Sequence, residues 1–311
     1  MNNKIKTVFV VGPTASGKTA LGIALAKALG GEVVSADSMQ IYKGIHIASA
    51  APDTEEMQGI PHHLLEFADT DFQFSVADYV MRARECIKDI HLRSKLPIVV
   101  GGTGLYITSL ADNTLYTEEK TDTLLRRELE KEFDEVGAVE MLQRLSEFDP
   151  ETARMLHEND RRRIIRAFEV YKQTGKTKTE QNIMSHSGEE VVEPFIIGIT
   201  YRDREKLYDR INKRVDIMLE NGLLNEARQS YEKSHTTGGF QAIGHKELYG
   251  YFEGKNSLEE AVELLKMQTR RYAKRQLTWF RRDQRVNWIY ADEIADSAEN
   301  AVCLAKEFIK E

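Results

Sequence analysis

Residues 12–19 read Gly12-Pro13-Thr14-Ala15-Ser16-Gly17-Lys18-Thr19, close behind the apolar run Val8-Phe9-Val10-Val11. The pattern is G-x-x-x-x-G-K-[ST], set between a strand-like run and a helical one, which is the context that makes it a phosphate site. The glycines let the backbone curl until several N–H groups face one anion, and the helix beginning there adds its positive end. Lys18 brings a mobile charge, and the Thr19 hydroxyl suits a Mg²⁺ that bridges phosphate oxygens. The eight residues together are expected to bind a diphosphate or triphosphate.

Outward from this loop the first 110 residues alternate between strand and helix. Strand 5–11, helix 18–29, strand 32–36, a helix at about 75–93 behind a Ser75 cap, strand 97–101 and a helix at about 104–110 follow one another. That rhythm predicts a parallel sheet covered on both faces, with an irregular stretch through Pro52 and Pro61. From about 117 to 190 the pattern is helical and highly charged, with helices at 121–136, 137–146, 150–157 and 160–173 and a loop over 185–194. Phe195-Ile196-Ile197-Gly198-Ile199-Thr200 then reads as a buried strand that returns to the sheet. Helices at 203–220, 222–233, 242–252, 257–281 and 294–310 complete the chain. The expected division is a discontinuous core, 1–111 and 195–311, interrupted by a helical insertion, 112–194.

Bulk properties narrow the function classes. The 311 residues, 41% hydrophobic and 30% charged, suit a soluble globular chain of this organisation. No apolar run reaches the ~18 residues a membrane span needs. Residues 1–6 lead straight into the first strand with no room for a signal peptide, so a cytoplasmic location is expected. Cys86 and Cys303 lie in apolar helical contexts and read as buried thiols rather than a disulfide. His62-His63 would point to opposite sides of an extended chain, which argues against a shared metal.

The net charge of −7 argues against a nucleic-acid partner, but its distribution argues for one. Between Lys266 and Arg285 eight positive residues face a single acid, Asp283. Lys266, Arg270 and Lys274 fall at i, i+4, i+8, with Arg271 and Arg275 on the adjoining row, making one basic helical face. Arg161, Arg162, Arg163 and Arg166 form a second cluster. Two one-sided runs in an acidic chain point to a polyanion. Trp279 reads as core packing.

Phosphate loops of hydrolytic proteins usually work with a strand that ends in an Asp holding Mg²⁺ through water. Here the candidate strand Leu96-Pro97-Ile98-Val99-Val100 ends in Gly101-Gly102-Thr103-Gly104, with no carboxylate. A different strand, Glu32-Val33-Val34-Ser35-Ala36-Asp37, ends in an acid and is followed by Ser38-Met39-Gln40. Asp37 would lie at the carboxyl edge of the sheet beside the phosphate loop, either as a loop acid or as a general base.

Four segments in order now carry a resemblance: residues 12–19; Ser35-Ala36-Asp37-Ser38-Met39-Gln40-Ile41-Tyr42; Val99-Val100-Gly101-Gly102-Thr103-Gly104-Leu105-Tyr106; and Thr269-Arg270-Arg271-Tyr272-Ala273-Lys274-Arg275-Gln276-Leu277-Thr278-Trp279-Phe280. Across essentially the whole chain the sequence resembles the bacterial tRNA dimethylallyltransferase (tRNA isopentenyltransferase) family. The resemblance implies an α/β fold, a P-loop NTPase-like parallel sheet flanked by helices, with an all-helical inserted domain that binds tRNA. It implies transfer of a dimethylallyl group from dimethylallyl diphosphate to N6 of the adenine on the 3′ side of the anticodon. Diphosphate would leave, and the loop with Mg²⁺ at Thr19 would stabilise it.

By the same correspondence Asp37 is the general base, Thr103 lies near the reacting amine and Arg214 reaches the diphosphate. Ser38, Met39 and Gln40 would read the base, while Arg126, Arg161, Arg162, Arg163, Arg270 and Lys274 would meet the RNA of an anticodon stem-loop. A monomer without membrane contact is expected. Ala48-Ser49-Ala50-Ala51 stands where the family usually has Gly-Thr-Ala-Lys, His46 replaces a usual acid, and His245 replaces a common Tyr. The competing readings are an isopentenyltransferase acting on free adenylate, a P-loop small-molecule kinase, and a non-catalytic RNA-binding protein.

Overall fold

Strand β1 (Ile5–Val11) is buried at every position except Lys6, as a strand with helices on both sides must be. The computed structural model describes residues 4–116, 122–185, 190–233 and 238–310. After β1 come α1 (Lys18–Leu29), β2 (Gly31–Ser35), the one-turn helices α2 (His46–Ser49) and α3 (Thr54–Met57), β3 (His62–His63), α4 (Val76–Leu92), β4 (Leu96–Gly101) and α5 (Gly104–Ala111). Helices α6 (Thr123–Phe148), α7 (Pro150–Met155), α8 (Arg161–Thr174) and α9 (Lys178–Ser185) follow. The chain then runs through β5 (Val192–Thr200), α10 (Arg204–Glu220), α11 (Leu223–Lys233), α12 (Tyr249–Phe252), α13 (Leu258–Phe280), β6 (Val286–Tyr290) and α14 (Ser297–Lys310).

Two compact units result. The larger comprises residues 1–112 and 190–311, the smaller 113–189. The larger holds a six-stranded sheet of order β3-β2-β4-β1-β5-β6, every pair parallel. Alternation along β1 divides its core. Ile5, Phe9 and Val11 pack with Tyr79, Ala83 and Ile87 of α4 and Tyr106, Ile107 and Leu110 of α5. Val8 and Val10 face the other way, onto Leu21 and Leu25 of α1 and Ala301 and Ala305 of α14. Ser75 does cap α4: its hydroxyl accepts from the Asp78 amide at 3.1 Å while the Asp78 carboxylate returns to the Ser75 amide at 2.9 Å. The smaller unit has its own core, in which Leu129, Phe133, Met141 and Leu145 of α6 meet Ile164, Ile165 and Phe168 of α8.

Several expectations need correcting. β6 was unforeseen; its five residues follow the charged run Arg281–Arg285 and pair with β5 from Ile196↔Val286 to Thr200↔Tyr290. β5 begins at Val192, earlier than 195, and α9 is a further helix within the stretch expected to be helical from about 117 to 190. The expected loop over 185–194 falls partly outside the described residues, at 186–189, and residue 121 also lies outside them. The two helices expected at 121–136 and 137–146 both form within α6, parted at Gly137, whose φ of 83° and ψ of 168° are not helical. Of the helix expected at 242–252 only the last turn forms, because Gly244 at φ +116° leaves helical space. Cys303 is exposed and Cys86 only half-buried. Trp279 is 37% exposed, its indole Nε1 donating to Thr108 Oγ1 at 3.0 Å, so it is not a core side chain. His63 Nε2 sits 2.8 Å from Glu32 Oε2 and His62 Nδ1 2.9 Å from the Ile60 carbonyl. Among the described residues no cluster of three His, Cys, Asp or Glu could hold a metal, and no helix is long and apolar enough to cross a membrane.

Candidate active site

The carboxyl ends of β1, β2 and β4 open on a cavity of about 310 Å³ in the larger unit, the place where ligands of open parallel sheets bind. From the phosphate loop it takes Thr14, Lys18 and Thr19; from the segment after β2 it takes Asp37, Ser38, Met39 and Gln40. Arg214 of α10 joins them, as do Thr269, Tyr272, Arg275 and Gln276 of α13. The remaining loop residues Gly12, Pro13, Ala15, Ser16 and Gly17 shape the turn without lining the cavity. At Gly12 a Cβ would stand 2.2 Å from the Ile199 carbonyl oxygen, so only glycine lets the loop pass β5.

The loop's hydrogen bonds show which donors it can offer. The Ser16 amide donates to the Pro13 carbonyl at 3.4 Å, and the Lys18 ammonium to the same oxygen at 2.7 Å. The Thr14 amide donates to Gln276 Oε1 at 2.8 Å, so it is already engaged within the protein. Among the described residues, the amides of Ala15, Gly17, Lys18 and Thr19 have no protein acceptor, the last two because they open α1. These amides, not the whole run from Thr14 to Thr19, are the free anion donors. The Ser16 hydroxyl is buried without a partner.

The charges of the site act on one another. Burial, with a smaller contribution from the Arg214 charge, pushes the Lys18 ammonium down to about 8, against the opposing pull of Asp37. Arg214 is likewise lowered by burial and held up by Asp37 and then Glu56. Two cations and one carboxylate thus share a poorly hydrated space, an arrangement that an added anion would relieve. Burial also raises the Tyr272 hydroxyl well above its ordinary range, and the Asp37 charge adds to this.

The segment after β2 is held rigid. Asp37 Oδ1 accepts from the Met39 amide at 2.9 Å, turning the chain locally. Thr103 Oγ1 accepts from the Ser38 amide at 2.9 Å and lies 3.3 Å from Ser38 Oγ. Thr103 is not among the residues that line the cavity, but its hydroxyl bonds to Ser38 and Tyr272, which are. Gln40 is oriented at both ends, its Oε1 accepting from Ser35 Oγ at 2.8 Å and its Nε2 donating to the Ala50 carbonyl at 3.1 Å.

Tyr272 and Gln276 also line the cavity, a role that the sequence reading does not assign them. The available signal was spacing, since Leu265, Thr269, Tyr272 and Gln276 recur on one face of α13. Gln276, 5% exposed, also donates to the Gly102 carbonyl at 3.0 Å, tying the phosphate loop to the turn that carries Thr103.

The arginines expected to meet RNA are unequal. Arg270 donates to Asn212 Oδ1 at 2.6 Å and Lys266 pairs with Asp216 at 2.8 Å, so part of the basic face holds α13 against α10. Lys274 is exposed. In the smaller unit Arg126 pairs with Glu130 at 3.1 Å and Glu169 at 3.7 Å, and Arg161 forks onto Asp134 while lying over the Phe133 ring. Arg162 and Arg163 are exposed, Arg163 3.7 Å from Asp160.

Residues 40–283 match the family model described as IPP transferase. The chain is 47% identical over 295 residues to the tRNA dimethylallyltransferase of Bacillus cytotoxicus, covering 94% of this chain and 93% of that protein. To the protein of the same name from Bacillus subtilis it is 46% identical over 288 residues, 92% and 91% of the two. The crystal structure of the full-length tRNA isopentenylpyrophosphate transferase from Bacillus halodurans aligns with TM-score 0.72 and 42% identity over 99% of this chain and 96% of that one. A eukaryotic dimethylallyltransferase caught acting on tRNA aligns with TM-score 0.83 and 31% identity, over 99% of this chain and 80% of that one. The chain belongs to the IPP transferase family, in the company of the tRNA dimethylallyltransferases.

Proposed function

We propose that this chain transfers a dimethylallyl group from dimethylallyl diphosphate to N6 of the adenine 3′-adjacent to the anticodon of tRNA. The observation that carries the reading is one cavity holding Lys18, Arg214 and the helix-opening amides together with Asp37. Breaking the allylic C–O bond leaves its electron pair on the diphosphate and positive charge on carbon. Lys18, Arg214 and the amides of Lys18 and Thr19 would stabilise the departing anion, where charge builds most. The N6 lone pair forms the new C–N bond, and Asp37 takes the N6 proton. Val215, Met218, Ile243 and Leu265 line the same cavity and offer an allyl group an apolar wall.

The adenine must leave its stack to reach this depth. Ser38, Met39 and Gln40 would then meet its edge, while Arg162, Arg163 and Lys274 would meet phosphates, which position RNA without reading it. The Thr19 hydroxyl would be the protein's own ligand to a Mg²⁺ brought in with the diphosphate, since the described residues hold no cage of three or more His, Cys, Asp or Glu. When bound, the ion would neutralise charge on the leaving group.

The test offers labelled dimethylallyl diphosphate to the purified chain with unmodified tRNA, AMP or ATP as the alternative partner. Label is expected in tRNA and not in the free nucleotides. Label in AMP, or phosphoryl transfer from ATP in place of prenyl transfer, would overturn the reading.

A further inference from the structure

Helix α2 has no cap of its own. Its N-cap residue is Ile45, which offers no side-chain acceptor, yet the amides of its second and third residues are satisfied. They are satisfied from a distant helix: Glu226 of α11 accepts from the Ile47 amide at 2.8 Å through Oε2 and from the Ala48 amide at 2.9 Å through Oε1. Behind the carboxylate, His245 Nε2 lies 2.9 Å from Glu226 Oε1, with the imidazole fully buried. The Nδ1 atom has no partner among the described residues. The neutral tautomer with its proton on Nε2 satisfies both facts, because it donates to the carboxylate and leaves only a lone pair uncompensated. Burial works against the charge of Glu226, but the imidazole and the two amides outweigh it and hold the carboxyl below its ordinary range.

What this buried pair fixes is a wall of the cavity. Ala48, Ser49 and Ala50 all line it, and the Ala50 carbonyl is the acceptor that orients the Gln40 amide. Glu226 and His245 themselves do not line the cavity. They also stand apart from the phosphate loop, whose contacts run to Gln276 and, through Arg210 Nε at 3.0 Å from the Ala15 carbonyl, to α10.

We infer that Glu226 and His245 are positioning residues for the acceptor side of the reaction, holding α2 and through it Gln40 in the pose that receives the base. The inference rests on the proposed function for the identity of the acceptor. It separates the two halves of the site: loss of the pair weakens use of tRNA and leaves the diphosphate half intact.

The experiment compares the unaltered chain with Glu226→Ala, Glu226→Gln and His245→Asn in three measurements. These are the affinity for dimethylallyl diphosphate alone, the KM and kcat with tRNA, and hydrogen exchange at the Ile47 and Ala48 amides. Glu226→Ala should raise the KM for tRNA about 10- to 100-fold, the scale of a misplaced positioning group, while diphosphate affinity stays within about twofold. Glu226→Gln keeps one acceptor oxygen and should fall between, which makes the series graded. Exchange at Ile47 and Ala48 should quicken in the same order. If Glu226→Ala fails to fold, the other two variants decide. Unchanged tRNA kinetics with fast exchange, or equal losses on both substrates, would overturn the inference. If the unaltered chain itself transfers nothing to tRNA, the proposed function fails instead, and the exchange data alone still decide whether Glu226 holds α2.

Discussion

Adding a single methyl group at Gly102 should break the link between the phosphate loop and the Thr103 turn. A Cβ there would lie 2.2 Å from Gln276 Nε2, where about 3.4 Å or more is ordinary contact, so the amide must move. Moving it gives up the 3.0 Å bond to the Gly102 carbonyl and the 2.8 Å bond from the Thr14 amide. Each of the two lost bonds leaves a buried group unpaired at about 1–3 kcal/mol, so Gly102→Ala should cost about 2–6 kcal/mol. For a unit of this size that corresponds to a fall in Tm of roughly 4–24 °C. Gln276→Ala loses the same two bonds and makes room for the methyl group. Adding Gly102→Ala to it should therefore cost less than about 0.5 kcal/mol more. Thermal or urea unfolding of the four proteins closes this cycle, and titration with dimethylallyl diphosphate should show weaker binding in both single variants. Additive losses in the double variant, or a Gly102→Ala protein as stable as the parent, would refute the reasoning.

Two other predictions follow from the charges. Because Lys18 is lowered to about 8, an anion that needs its positive form must restore a proton above that pH. Affinity for dimethylallyl diphosphate should fall as pH rises from about 8, by up to about tenfold per unit, and Lys18→Arg should flatten the profile; a flat profile for the parent chain contradicts the reading. The sign for stability is opposite: between about 8 and 10.5 the unfolded chain binds a proton that the folded one has released, so this group makes the unliganded fold more stable as pH rises through that window. Neutralising exposed Arg162 and Arg163 together should lower the salt slope of tRNA binding by about 0.7–0.9 per lost contact, whereas Arg161→Ala, already engaged by Asp134, should change it less. The reverse order in a salt titration would count against the smaller unit as an RNA arm.

The parts of the fold legible in the sequence are those with local causes. The phosphate loop, the strand at 5–11 and the Ser75 cap each depend on residues within a few positions of one another, and each formed where the pattern placed it. β6 was not legible, because Val286-Asn287-Trp288-Ile289-Tyr290 is short and its pairing partner lies some ninety positions earlier. The apolar spacing of residues 242–252 predicted a helix that the backbone at Gly244 refuses. The site divides in the same way. Asp37, Ser38, Met39 and Gln40 are one contiguous segment and were found together, whereas the bond from Thr14 to Gln276 spans 262 positions and nothing local announces it. Charge runs say little about partners within the fold. Arg161 and Arg270 belong to conspicuous basic clusters, yet Asp134 and Asn212 occupy them, because a cluster's partners are set by packing rather than by neighbours in sequence.

The central claim is that this phosphate loop cradles a leaving diphosphate while Asp37 takes the proton of an incoming RNA amine. Single-turnover transfer from dimethylallyl diphosphate to bound, unmodified tRNA measures that step most directly, with Asp37→Ala compared against the parent chain. The variant should bind both substrates as before and transfer about 100-fold more slowly or worse, the scale of a lost general base. Transfer within about threefold of the parent, with both substrates bound, would remove Asp37 from the chemistry and contradict the account.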